Sequence, residues 1–103
     1  YIKANLGVSE LSPESVAVGL GVSLRTLQKM FALEGDHPAS YILNERLTRV
    51  GEALISPGQR SRTIRQVAES LGFKDPSHFS RVFRDRYGMT PRDWRKAALR
   101  EQE

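Results

Sequence analysis

Residues 63–95, TIRQVAESLGFKDPSHFSRVFRDRYGMTPRDWR, decide the fold of this chain because they contain the start and stop signals of successive short helices. Thr63 is a good N-cap, and Gln66, three positions later, completes a capping box at the start of the first helix. Gly72 follows the apolar stripe of that helix and permits the left-handed backbone that ends a helix sharply. These signals predict a short helix followed by a tight turn.

The second helix of the stretch is predicted to have one apolar and one polar face. Asp75 is a favourable N-cap, and Pro76 is pre-organised for the first helical position. Two helices that pack around a tight turn form a helix-turn-helix, whose second helix has the right size to enter a DNA major groove. The apolar residues of the two helices recur at helical spacing, and they are Ile64, Val67, Ala68, Leu71, Phe79, Val82 and Phe83.

A third helix is predicted to close over this pair. Gly88 ends the second helix, and Thr90 and Pro91 begin the next one. Trp94 then returns an aromatic ring to the core.

An earlier stretch carries the same kinds of signal. Ser12 and Pro13 begin one helix, which Gly21 ends. Ser23 caps a second helix that reaches about Leu33. The residues predicted to be buried in these two helices are Val16, Ala17, Leu20, Leu27, Met30 and Phe31.

The two stretches form an internal repeat. In each copy the alanine lies where the two helices approach closely, and the glycine lies where the backbone reverses. A simple helical hairpin would explain either copy alone, whereas two copies with the same spacing favour a pair of recognition modules. The matched pairs are Val16 with Val67, Ala17 with Ala68 and Gly21 with Gly72 at an offset of 51 residues, and Leu27 with Phe79 and Phe31 with Phe83 at an offset of 52.

Residues 38–55 are predicted to form one long helix between the copies. Eighteen residues at about 1.5 Å each span about 27 Å, close to the ~34 Å between successive major-groove windows of a duplex. Gly51 weakens this helix by up to about 1 kcal/mol relative to alanine. Its apolar residues lie on more than one side, as expected of a helix packed against both neighbours, and they are Tyr41, Ile42, Leu43, Leu47, Val50, Ala53 and Leu54.

The expected fold is therefore all-α, with about seven helices. Two helix-turn-helix subdomains, residues 1–37 and 56–103, are joined by the linker helix of residues 38–55. The first subdomain is expected to open with the end of an apolar helix over residues 1–6, which Gly7 stops.

Composition disfavours several classes of protein. A chain of 103 residues with no cysteine and only two isolated histidines offers no large enzyme core, no disulfide scaffold and no evident zinc site. No apolar run reaches the roughly 20 residues of a membrane helix, and no signal peptide opens the chain. We therefore expect a soluble cytoplasmic protein without cofactor, metal or membrane partner. Because the chain begins inside an apolar segment without a methionine, we expect that an upstream part has been removed.

The excess of positive charge lies in the second half of the chain. Residues 1–51 hold five basic and five acidic side chains, whereas residues 52–103 hold eleven and seven. Twelve of the sixteen basic residues are arginine, the type best suited to bidentate contacts with phosphate and guanine. Such a surplus fits a polyanionic partner and an ordinary solvated helical surface about equally well.

One specific set of residues extends over both units and the linker. In the second unit it consists of Ile64, Val67-Ala68, Leu71-Gly72-Phe73, Ser77-His78-Phe79-Ser80-Arg81, Phe83-Arg84, Tyr87-Gly88, Thr90-Pro91 and Trp94-Arg95. In the first unit it consists of Ser23, Arg25, Leu27-Gln28-Lys29 and Phe31, and in the linker of Tyr41-Ile42 and Arg46-Leu47. This set resembles the DNA-binding domain of AraC/XylS-type bacterial transcription regulators. Trp94 stands where that family usually has tyrosine, and His37 where it has a serine cap; both departures concern packing and capping.

The resemblance implies that each unit places its second helix in a major groove of an asymmetric promoter site on double-stranded DNA. It also implies a separate N-terminal effector or dimerisation domain, absent from this sequence. We further expect RNA polymerase as a partner. Activation is the expected direction of control, although the residues themselves fit repression as well.

When the family's functional positions are carried over one by one, the resemblance implies eight base-reading residues. Six further residues are candidates for contact with phosphate. Arginine and lysine can donate to guanine and glutamine can pair with adenine, whereas Pro76 has no donor and is mainly a helix starter. The base-reading candidates are Arg25, Thr26, Gln28, Lys29, Pro76, Ser77, Ser80 and Arg81. The phosphate candidates, each of which also fits an ordinary surface or capping role, are Arg60, Arg62, Thr63, His78, Arg84 and Arg92.

Two other functions compete with DNA recognition as an explanation of these residues. Asp75, Ser77 and His78 contain the ingredients of a hydrolytic triad, but residues so close at a helix start cannot form the ordered chain from nucleophile to base to carboxylate. We therefore expect no enzyme. A protein-binding helical module is the stronger competitor, and it predicts weak binding to duplexes without sequence preference.

Overall fold

The computed structural model describes residues 2–8, 10–59 and 61–101, and all regular secondary structure within them is helical. The predicted all-α class is confirmed, while the expected helix at residues 1–6 is only a 3-10 turn at Lys3–Asn5, with a second such turn at Pro57–Gln59. None of the helices in this described part of the chain is both long and apolar enough to cross a membrane. The six α-helices are α1 (Pro13–Leu20), α2 (Leu24–Ala32), α3 (Pro38–Ile55), α4 (Ile64–Ser70), α5 (Pro76–Tyr87) and α6 (Pro91–Glu101).

The predicted capping signals are confirmed. The Ser12 hydroxyl accepts from the Ser15 backbone N–H, and Thr63 forms the predicted capping box with Gln66. One Asp75 carboxylate oxygen accepts from two backbone N–H groups of the first turn of α5. These side chains satisfy donors that a helix start leaves unpaired, so both units begin their helices where the sequence indicates.

The long helix α3 contributes to two hydrophobic cores. Partly buried side chains, including Tyr41 in the first core and Leu43 in the second, pack around each of them. The predicted packing of α3 against both neighbours is confirmed. The first core consists of Ile2, Leu6, Leu11, Val16, Ala17, Leu27 and Ile42. The second core consists of Leu47, Val50, Leu54, Val67, Ala68, Phe73, Phe79 and Phe83.

The predicted burial of Leu20 is wrong, because this side chain is 47% exposed. Helix α1 ends at Leu20, and Gly21 takes a left-handed conformation with φ of 70°. The chain therefore reverses, and the next residue, Val22, packs against the first core while its N–H donates to the Ala17 carbonyl. A hydrophobic residue just past the glycine thus fills the place expected for the last residue of the helix.

The predicted burial of Met30 is also wrong, because this side chain is 50% exposed. Helix α2 packs against α1 and α3 and buries a narrow stripe, with Leu27 buried and Phe31 half-buried. Met30 lies about 100° around the helix from Phe31, since a helical turn takes about 3.6 residues. It therefore falls outside that stripe.

The glycine inside α3 makes room for an aromatic ring. A Cβ atom at Gly51 would overlap the Tyr87 hydroxyl oxygen and lie 2.7 Å from Tyr87 Cζ. Tyr87 donates a hydrogen bond of 2.7 Å to the Leu47 carbonyl, and Trp94 donates one of 2.9 Å to the Gly51 carbonyl. Burial, the main cause, raises the pKa of the Tyr87 phenol, so the neutral donor form is favoured. The glycine that weakens the helix locally thus permits close packing of α5 and α6 on α3.

We expect Gly51→Ala to destabilise the chain by about 1–3 kcal/mol, because overpacking at Tyr87 outweighs the better helix propensity of alanine. Urea denaturation followed by circular dichroism measures the change. Gly58→Ala is the matched control, since a Cβ atom at Gly58 would meet no described residue within 4 Å. A Gly51→Ala chain that is more stable than the unchanged chain would contradict the packing of Tyr87 on Gly51.

Arg95 holds the end of α3 and the following loop against α6. Its guanidinium donates to the carbonyls of Leu54 at 2.9 Å, Arg62 at 2.8 Å and Gln59 at 3.1 Å. Carbonyls in the last turn of a helix lack intrahelical partners, so Arg95 satisfies one of them and fixes the connection to α4. This side chain therefore has a structural role.

Candidate nucleic-acid interface

The first polar ridge lies on α2, and it consists of Arg25, Thr26, Gln28 and Lys29. All four side chains are exposed, whereas Leu27 between them is buried at 1% exposure. The Thr26 hydroxyl accepts from the Ser23 hydroxyl at 2.9 Å, which is a local capping contact. The other three side chains make no hydrogen bond or ion pair to any described residue. Their donors are therefore available to a ligand.

The second polar ridge lies on α5, and it consists of Pro76, Ser77, Ser80 and Arg81. All four side chains are exposed, and on the opposite side of the helix Phe79 and Phe83 are buried. The Arg81 guanidinium has no hydrogen-bond or ion-pair partner among residues 2–8, 10–59 and 61–101. The structure thus exposes all eight base-reading candidates on the second helices of the two units, and their contacts with bases stay a prediction.

Three grooves with shared lining residues lie beside the two ridges. The first groove is lined by Arg25, Gln28 and Lys29, and it shares Pro13 and Ala39 with a middle groove between the two units. The middle groove shares Phe73, Lys74 and Asp75 with a third, which Pro76 and Ser80 also line. Residues of the first ridge therefore line the first of these grooves, and residues of the second ridge line the third.

Three of the six phosphate candidates fall into two groups. Arg84 and Arg92 are exposed and have no side-chain partner in the described part of the chain, and Arg92 lines the groove beside Ser80. Arg62 is half-buried and donates to the Gln59 side chain and the Gln66 carbonyl, so its guanidinium is partly engaged.

Three further phosphate candidates cannot be placed in either group. The Thr63 hydroxyl caps α4, and the half-buried His78 ring lies 6.5 Å from the Phe73 ring, measured between centroids. Arg60 lies outside the described residues. Phosphate contact stays a prediction for all six candidates.

Two cations beside the second ridge were missed by the sequence analysis. Arg65 and Lys74 line the same groove as Ser80, and each forms an exposed ion pair, Arg65 with Glu69 at 2.9 Å and Lys74 with Glu10 at 3.1 Å. Such surface pairs are weak and can open to an anion. The signal available in the sequence was the position of Arg65 one residue inside the N-terminus of α4.

We expect Asp75→Ala to destabilise the start of α5 and to lower the free energy of unfolding by about 1 kcal/mol. The reason is that the Asp75 carboxylate accepts from the Ser77 and His78 backbone N–H groups. Asp75→Asn should retain most of the stability, because asparagine is also a good N-cap. Urea denaturation provides the measurement.

Asp85→Ala is the matched control, since Asp85 is an exposed carboxylate on the same helix without a partner in the described residues. Equal effects of the Asp75 and Asp85 substitutions would contradict the capping role.

Comparisons with known proteins point to one class of protein. A family model described as a helix-turn-helix domain matches residues 16–97. The transcriptional activator RhrA of Rhizobium meliloti (strain 1021) is 35% identical over 97 residues, which are 94% of this chain and 31% of RhrA. The transcriptional activator NphR of a Rhodococcus species is 33% identical over 99 residues, 96% of this chain and 29% of NphR. The chain thus spans about a third of the length of these curated relatives.

Two solved structures are similar over nearly the whole chain. A DNA-binding transcriptional dual regulator from Escherichia coli K-12 has a TM-score of 0.85 at 26% identity, with 96% of this chain and 86% of that chain covered. A transcriptional regulator of the AraC-type DNA-binding domain-containing proteins from Chromobacterium violaceum has a TM-score of 0.79 at 33% identity, with 94% and 84% covered.

Proposed function

We propose that this chain, which belongs to the AraC/XylS family of transcription regulators and corresponds to their sequence-specific DNA-binding domain, places α2 and α5 in two successive major grooves of a promoter. The observation that carries this proposal is the pair of exposed polar ridges on α2 and α5, each of which borders one of three grooves that share lining residues. The chain is elongated, with principal extents of 49 × 23 × 23 Å. A body of that length can bridge the ~34 Å between successive groove windows.

The chemistry of the ridges supports direct reading of bases. Arg25, Lys29 and Arg81 carry donors that suit the O6 and N7 atoms of guanine, and Gln28 carries the donor and acceptor that suit adenine. Ser77 and Ser80 are short hydroxyl side chains at the start of α5, and they allow the backbone to approach the bases closely. Arg84 and Arg92 would contact phosphates beside the second groove, which positions the helix without reading sequence.

We also propose roles for the longer protein to which this domain corresponds. The matched segments make up 31% and 29% of the two activators, so sensing and dimerisation would belong to other parts of such a protein. Two of the relatives are named transcriptional activators, which supports activation as the direction of control. RNA polymerase would be the partner of such an activator. Binding to bacterial promoters would place the protein in the cytoplasm.

Selection from random duplexes tests the proposed function. We expect enrichment of sites with two short conserved blocks about one helical turn apart, and an affinity that falls steeply as salt rises from 50 to 200 mM, because bound arginines and lysines release phosphate counterions. A protein-binding helical module would instead bind all duplexes weakly and enrich none. Absence of enrichment at both salt concentrations would reject DNA recognition.

We expect Arg81→Ala to weaken binding to the selected site by about 1–3 kcal/mol and to relax the preference at one base pair, because a bidentate contact with guanine is lost. Fluorescence anisotropy on the selected duplex and on a random duplex measures the two affinities. Arg100→Ala is the matched control, since Arg100 is an exposed arginine in the last turn of α6. Equal losses on both duplexes would show that Arg81 contacts only phosphate.

A further inference from the structure

Three distant segments of the chain meet at the side chain of Arg46. This residue lies near the middle of α3, and its Nε donates to the Leu6 carbonyl at 3.2 Å while its Nη2 donates to the Val8 carbonyl at 2.7 Å. The same guanidinium lies against Gly72, in the turn between α4 and α5. Arg46 therefore connects the N-terminal segment of residues 2–8, the linker helix and the turn of the second unit.

This close approach is possible only because the residue in the turn, Gly72, has no side chain. Gly72 has a φ of 94°, and a Cβ atom there would lie 2.7 Å from both the Leu6 carbonyl oxygen and Arg46 Nη2. On the other side of the contact, a Cβ atom at Gly7 would lie 2.9 Å from the Ser70 carbonyl oxygen. The backbone of Leu6 and Gly7 thus lies close to the backbone of Ser70 and Gly72, and the Arg46 guanidinium lies beside this contact.

The N-terminal segment belongs to the first unit through its own side chains. Ile2 and Leu6 are buried in the first core, at 9% and 2% exposure. Because the backbone of the same segment touches the turn of the second unit, it forms a second connection between the units beside α3. A single helix would leave the units free to bend relative to one another, whereas two connections restrict that motion.

The hydrogen bonds of Arg46 can fix the positions of the backbone groups that they join. A guanidinium presents several N–H donors in a fixed planar fork, and hydrogen bonds from a charged donor are stronger than neutral ones. Partial burial lowers the pKa of Arg46, yet an arginine stays protonated at all ordinary pH values. The contact is therefore present across the physiological range, and it can act as a permanent clamp.

We propose that Arg46 is a positioning residue that locks the relative orientation of the two recognition helices and so sets the spacing between the two DNA half-sites that the chain accepts. The spacing part of this inference rests on the proposed function. Binding both half-sites at once gains affinity only if the linked units already stand at the distance and angle of the two grooves. A clamp that fixes this geometry raises affinity for one spacing and lowers it for others.

The first test measures orientation without DNA. The chain contains no cysteine, so Val18→Cys on α1 and Asp85→Cys on α5, both at exposed positions, allow one spin label on each unit. Electron–electron double resonance then reports the distance distribution between the labels. We expect a narrow distribution in the labelled chain and a clearly broader one after Arg46→Ala. An equally narrow distribution would overturn the proposal, whatever the DNA measurements show.

The second test measures spacing selectivity on duplexes derived from the selected site. Inserting one base pair between the half-sites should strongly weaken binding of the unchanged chain. Arg46→Ala should bind the original site about tenfold more weakly and discriminate less between the two spacings, because part of the gain from simultaneous binding is lost. Its affinity for a single half-site should stay within about twofold of the unchanged chain. Full spacing selectivity in Arg46→Ala would overturn the proposal.

Two further variants separate positioning from folding and from charge. Arg46→Lys keeps the charge but lacks the planar fork, so we expect the same broadening and the same loss of selectivity. Arg49→Ala removes an exposed arginine of the same helix that has no partner among the described residues, and it should leave both readouts unchanged. A chain that recognises no sequence at all would reject the proposed function, while the distance measurement would still decide the role of Arg46.

Discussion

The structure depends on the requirement that one helix, α3, contributes to two hydrophobic cores at once. Ile42 points into the first core and the adjoining Leu43 packs against the second. Successive residues of an α-helix lie about 100° apart, so this neighbouring pair faces different sides. From Leu47 to Leu54 the buried residues serve the second core alone. The phase of α3 therefore determines how the first unit is rotated relative to the second, and with it the direction in which α2 and α5 present their polar ridges.

Backbone carbonyl groups along one side of α3 provide a second level of attachment. The carbonyls of Leu47, Gly51 and Leu54 accept hydrogen bonds from Tyr87, Trp94 and Arg95, respectively. The three acceptors are four and three residues apart, which is the spacing of one helical face. Apolar burial alone would tolerate a small slide of α5 and α6 along α3, because the hydrophobic effect has no direction. Hydrogen bonds at three positions along α3 resist such a slide, because each of them requires a particular geometry.

Local signals in the sequence predicted the helices well, and long-range contacts explain what they missed. Ser12, Thr63 and Asp75 cap helices because each needs only backbone N–H groups two or three residues away. The polar ridges were predictable for the same reason, since helical phase separates exposed from buried residues. The exposure of Met30, however, depends on which neighbours α2 meets, and Gly51 and Arg46 derive their roles from partners about 40 residues away. No local pattern contains that information.

The arginines in and around the candidate site differ in whether contacts within the fold already engage them. Arg46, Arg62 and Arg95 each donate to backbone carbonyls, whereas several arginines of the ridges and grooves, including Arg25 and Arg81, have no partner in the described residues. A guanidinium that is held by carbonyls still adds to the positive field that attracts a polyanion, but it must give up bonds within the fold before it can contact a phosphate. An unpaired guanidinium carries no such cost. Net charge therefore overstates the number of side chains available for DNA, and the fold determines which arginines can release counterions on binding.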